Sequence, residues 1–179
     1  MSNENDFWNF TLAAYPAEGV QQSVIYLQDN CGADVNLLFY CCWAGSRGGQ
    51  LSEDDLKQAD AAVNTWREQV TKPLRAIRDN IKDREELSKP EGAMDVRGKI
   101  LGAEIDSERI AQGILESQLP DDQETTDNDP YQLATHNLRR YFKNLSQDIS
   151  GKNLDAIVNL LRGAFPDEFR EQIKAALAN

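Results

Sequence analysis

Residues 35–44, VNLLFYCCWA, constrain this chain more than any other segment, because only Asn36 interrupts a run that is apolar nearly all round a helix. Such a helix has no face to give to water, so it belongs in the middle of a fold with other helices packed around it. Asp34 is placed to cap its start, and the RGG at Arg47–Gly49 breaks it.

The flanking sequence supplies the surrounding helices. Phe7, Phe10, Leu12 and Tyr15 form a short apolar pattern that stops at Pro16, and a second helix from about Glu18 to Asn30 carries Val20, Val24, Ile25 and Leu27. Gly32 follows it where a left-handed C-cap residue belongs. Ser52 with Asp55 resembles a capping box and opens a helix to about Thr71. Pro73 lacks an N–H, which predicts a kink or a fresh start there, followed by helix to about Leu87. From Val96 to Leu119 the spacing of Ile100, Leu101, Ile105, Ile110, Ile114 and Leu115 stays helical. Gly98, Gly102 and Gly113 each weaken that helix, and glycines in a helix often let another helix come close.

Residues 120–130, PDDQETTDNDP, are acidic and contain no aliphatic residue, which predicts an exposed, mobile linker. Beyond it lie three amphipathic candidates, Tyr131–Gln147, Leu154–Arg162 and Asp167–Leu177. No alternating strand pattern and no fixed-period repeat is visible. The reading is an all-α fold, a compact multi-helix bundle around a central apolar helix. It divides into a helical core at 7–119, an acidic linker at 120–130 and a C-terminal helical segment at 131–179.

Length and charge bound the function. A chain of 179 residues suits one core. A net charge of −11 opposes general affinity for nucleic acid or anionic lipid. No apolar run approaches a membrane span, and Met1–Asp6 is polar and acidic, unlike a signal peptide, so the expectation is a cytoplasmic protein without a membrane partner. Cys31, Cys41 and Cys42 are odd in number and sit among apolar residues, and read as buried thiols of a reducing compartment.

Catalytic patterns are sparse. His136 is the only histidine and lies beyond the acidic linker from all three cysteines, which disfavours a Cys–His pair. Adjacent Cys41 and Cys42 point about 100° apart on a helix, unlike one side of a tetrahedral zinc site. Glu104 and Glu108 share a helix face at i, i+4, as a divalent metal or an acid/base pair requires, yet no Glu-x-x-His accompanies them. Pairing with basic residues of a facing helix is the plainer reading. Arg75, Arg78 and Lys82 form a basic stripe at i, i+3 and i+7, fit either to clamp an anion or to lock Asp29, Asp34 or Glu104. Arg139, Arg140 and Lys143 beside Tyr141 and Phe142 make one short basic patch, too little to overcome the acidic balance in favour of nucleic acid. No glycine-rich phosphate loop or serine nucleophile elbow is present, so no cofactor is expected.

The segments FWNFTLAAYPAEGV (7–20), YLQDNCGADVNLLFYCCW (26–43), WREQVTKPLRAIRDNIK (66–82) and AEIDSERIAQGILE (103–116) together resemble an uncharacterised proteobacterial family, domain of unknown function 2390. The resemblance covers about residues 7–116 and implies a helical bacterial cytosolic protein with no assigned activity. Within these segments Gln28, Asp29, Asp34, Asn36, Trp66, Arg75, Arg78 and Glu104 are polar groups that packing alone does not require. With Lys82 and Glu108 they are the candidates for a buried polar network or a ligand site. The function these observations favour is a non-catalytic interaction or regulatory protein whose partner is another protein. The alternative is a small-ligand binder or enzyme whose Asp/Asn/Arg/Glu site handles an anionic or amide-bearing metabolite.

Overall fold

The apolar run becomes a helix in which ten consecutive residues, Asn36 to Gly45, are buried. The computed structural model describes residues 6–120 and 129–166. In chain order its elements are α1 (Asp6–Ala14), α2 (Val20–Cys31), α3 (Val35–Ser46), α4 (Glu53–Trp66), a π-helical turn (Arg67–Thr71), α5 (Lys72–Asp83), the single turn α6 (Glu85–Ser88), α7 (Ala93–Glu116), α8 (Pro130–Asn144) and α9 (Gly151–Ala164). The architecture is all-α, a compact bundle. The third helix of the C-terminal segment, Asp167–Leu177, lies outside the described residues, as does most of the acidic linker.

Local chemistry sets the helix ends. The Asp34 carboxylate accepts hydrogen bonds from the Asn36 and Leu37 backbone N–H groups at 2.8 and 3.1 Å, starting α3. Gly32, at φ 68°, closes α2 in the left-handed conformation that only glycine adopts freely. Ser52 and Asp55 exchange hydrogen bonds at 3.0 and 2.7 Å, so aspartate completes the box at the start of α4.

α3 packs most extensively on α8, and also meets α1, α2, α7 and α9. Gly45 permits the α8 contact: a Cβ there would sit 2.4 Å from the Ala134 backbone nitrogen. On the α1 side Phe7 stacks on Trp43 at 5.1 Å and tilts against Tyr40 at 6.0 Å. Asn137 of α8, with no exposure, accepts from the Leu51 N–H and donates to the Cys41 and Gly49 carbonyls. One amide thereby ties the loop after α3 to α8. α9 lies along α2, where Asn159 donates to the Ser23 hydroxyl.

Two expectations change. Pro73 makes the fresh start expected of it, in the first turn of α5, but that helix ends at Asp83 rather than near Leu87, and the run before it passes through the π-turn, where the Lys72 N–H reaches back five residues to the Arg67 carbonyl. The wider turn takes up the missing N–H and the proline ring, so Pro73 enters α5 in its first turn. The α7 glycines are not close contacts: a Cβ at Gly98, Gly102 or Gly113 would meet nothing within 4 Å.

That openness belongs to a larger feature. α5 buries no residue, and it packs on α7, the π-turn and α6. The buried residues of α7 all lie from Glu104 onward. Thus α5, α6 and the first half of α7 form a helical hairpin, or arm, extending from the bundle.

Candidate functional site

Where the arm leaves the bundle, α2, α3, α4, the π-turn, α5, α7 and α8 surround a polar cleft of about 370 Å³. Its walls include Gln28, Asp34, Asn36, Asp60, Arg67, Lys72, Arg75, Glu108 and Tyr141. The π-turn places Arg67 and Thr71 on this wall.

Most of these groups satisfy one another. Thr11 donates to Gln112 at 3.0 Å, and Gln112 donates to Asn36 at 2.9 Å. Asn36 in turn donates to Glu108. Arg75 then joins three acceptors: Glu108 at 2.6 Å, Glu104 at 3.0 Å and Gln28 at 2.9 Å. Arg78 donates to the other Glu104 oxygen and pairs with Asp79. The chain of bonds runs through α1, α7, α3, α5 and α2, and fastens the arm to the bundle. A second cluster centres on Arg67, which binds Asp60 at 2.8 Å, Asp34 at 3.2 Å and Asn64 at 2.7 Å. The Asp34 N–H donates to the Tyr141 hydroxyl at 2.8 Å.

The two glutamates of α7 differ in protonation. Burial raises the Glu104 carboxyl, but hydrogen bonds from Arg78 and Arg75 outweigh it and hold the group below the usual carboxylate range. For Glu108 burial dominates, and with help from neighbouring Asp34 and Glu104 it leaves the carboxyl raised despite Asn36 and Arg75. Glu104 is thus the firm anion, while Glu108 takes a proton more readily.

Of the residues singled out from sequence, Gln28, Asn36, Arg75, Arg78, Glu104 and Glu108 come together in the first cluster. Asp34 sits in the second. Trp66 stands apart, donating to the Ser107 carbonyl and hydroxyl at 3.0 and 3.1 Å, next to a Thr71–Ser107 bond of 2.6 Å. Asp29 and Lys82 are exposed and outside both clusters. Sequence reasoning missed Asp60, Arg67, Gln112 and Thr11, and placed Tyr141 only beside the basic patch. Asp60 and Arg67 share a helical face at i, i+7, the one signal that could have flagged them.

The remaining candidates have structural surroundings. Cys41 and Cys42 are fully buried, and burial pushes both thiols up, opposite to what a nucleophile needs. His136 is held down by burial, then by Arg140 and Arg139. In the basic patch Arg140 donates to the Leu51 carbonyl and Lys143 to Glu53. Among the described residues no group of three or more His, Cys, Asp or Glu side chains is placed to hold a metal ion, and no helix is long and apolar enough to cross a membrane.

A family model described as Protein of unknown function (DUF2390) matches residues 6–115, from the start of α1 almost to the end of α7. The chain belongs to the DUF2390 family. No curated protein and no solved structure matches it. The DUF2390 match therefore contains the arm, both arginine clusters and every cleft residue except Tyr141 and Leu145 of the α8 region.

Proposed function

We propose that this chain is a non-catalytic interaction protein of the bacterial cytosol that docks through its α5–α7 arm. One observation carries the reading. Of the nine large apolar side chains left exposed among the described residues, seven lie on or beside the arm: Ile77, Leu87, Met94, Val96, Leu101, Ile105 and Ile110. Apolar surface concentrated in this way marks contact surfaces, whereas single exposed residues are ordinary. The mutual satisfaction of the cleft groups supports the same reading, since Arg67 and Arg75 are committed to carboxylates of the chain itself. Buried thiols suit a reducing compartment.

The test is native mass spectrometry of untagged protein taken from its host at low salt, for wild type and for a Leu101→Lys/Ile105→Glu variant. Both positions are exposed, so the variant should keep wild-type helicity by circular dichroism. A defined complex that the variant loses is the expected result. Identical species in both samples would refute docking through the arm.

A second reading has its own observation: Glu108, whose carboxyl is raised by burial, lines the polar cleft with Asp34, Asn36 and Arg75. A small ligand there would appear in the same spectra as a reproducible mass excess, lost on Arg75→Ala.

A further inference from the structure

We infer that the occupant of the arm is a second copy of this chain, joined by antiparallel packing of two α7 helices around a two-fold axis near residue 100. The inference rests on the docking reading above and names its partner. Met94, Gly98, Leu101 and Ile105 recur at i, i+4, i+7 and i+11, so they form one stripe along α7. The three large members are 53%, 37% and 47% exposed. Between them the α7 surface is open at Gly98 and Gly102, with nothing within 4 Å of where a Cβ would lie.

The stripe is self-complementary when reversed. With the axis between residues 99 and 100, Met94 of one copy meets Ile105 of the other, and Gly98 meets Leu101. Large side chains therefore face either each other or a glycine hollow, as an isologous interface requires.

Charge identifies the partner further. Residues 72–106 carry eight basic and eight acidic side chains, while the rest of the chain carries eleven and twenty-two. Two copies of a chain with net charge −11 repel each other over most of their surfaces. The neutral arm is the surface through which they can approach. A strongly basic partner would instead be drawn to the acidic remainder.

Size sets the strength. The exposed half of α7 with α5 beside it presents a face roughly 22 Å long and about 20 Å wide. A pair of such faces buries on the order of 1,000 Å² in total, at the lower end of specific interfaces. The expected species is a reversible dimer in the micromolar range, not an obligate one.

Sedimentation of the purified full-length chain over a hundredfold concentration range provides the first test, with wild type and Leu101→Lys/Ile105→Glu compared. Wild type should move from monomer to dimer, and the variant should need at least tenfold more protein to reach the same dimer fraction. Register is tested by mixing Met94→Cys chains with Ile105→Cys chains under mild oxidation. A disulfide dimer should form in the mixture and not in either chain alone, because like positions lie about 17 Å apart along the helices. A wild-type chain that stays monomeric throughout overturns the inference. So does a dimer indifferent to the double variant, or cross-linking that ignores the register. If purified wild type is monomeric while a host complex is lost in the variant, the second copy is refuted and docking through the arm survives.

Discussion

Glu104→Gln separates charge from shape at the junction of arm and bundle. Glutamine fills the same volume, but it removes the negative charge and turns one acceptor oxygen into a donor facing an arginine. In the native chain Glu104, whose side chain is only 8% exposed, takes hydrogen bonds from Arg75 and Arg78 together. Charge-assisted bonds are worth roughly 1.5–3 kcal/mol each, and breaking a buried pair costs about 3–5 kcal/mol. Here Arg75 keeps Glu108, Arg78 keeps Asp79, and both arginine side chains remain partly in water, at 32% and 19% exposure. The loss should therefore fall to about 2–3 kcal/mol at pH 7. Urea unfolding followed by circular dichroism measures it, with an unchanged slope showing that only stability has moved. The pH dependence is a second check. Because the folded-state carboxyl of Glu104 lies below its ordinary value of 4.5, its stabilisation is present above that value and is lost as pH falls through the folded pKa. Wild type and variant should converge in acid. A loss under about 0.5 kcal/mol at pH 7, or a gap of equal size at pH 3 and pH 7, would refute the ionic account of this junction.

Two further substitutions probe neighbouring features. Glu108 has a raised carboxyl, so its contribution is present below the ordinary value and is lost as pH rises through the folded pKa. Glu108→Gln should consequently gain stability relative to wild type between pH 4 and pH 7 in the same unfolding assay; a relative loss over that range would contradict the assignment. Asn137→Ala leaves the buried Leu51 N–H and Gly49 carbonyl without their side-chain partner, and should cost about 2–4 kcal/mol. A cost below about 1 kcal/mol in thermal or urea unfolding would mean that these groups find other partners.

Much of the bundle was legible along the chain, for reasons confined to a few residues each. Asp34, Ser52 and Gly32 announce helix ends through bonds they make with their immediate neighbours. The apolar circumference of α3 announces burial whatever surrounds it. Pro73 announces the fresh start of α5, but the π-turn before it does not announce itself, because one extra residue in a turn depends on backbone geometry that no single residue type signals. The α7 glycines misled: their small size allows a close neighbour but does not supply one.

The polar residues divide along the same line. Composition and helical spacing marked Arg75, Arg78, Glu104 and Glu108 as groups needing partners, since charges on two amphipathic helices must find either water or each other. Arg67 gave no such notice and Tyr141 stood out only beside the basic patch, because their roles depend on the π-turn and α8 meeting the start of α3. The sequence by itself determined the helices, the central position of α3 and the burial of its thiols, all consequences of short-range bonding and apolar periodicity. Only the tertiary structure decided which carboxyl is held down and which is raised, which glycines are contacts and which apolar stripe is left uncovered. Those depend on desolvation and packing between segments far apart in the chain, and a linear pattern does not carry the distances that set either.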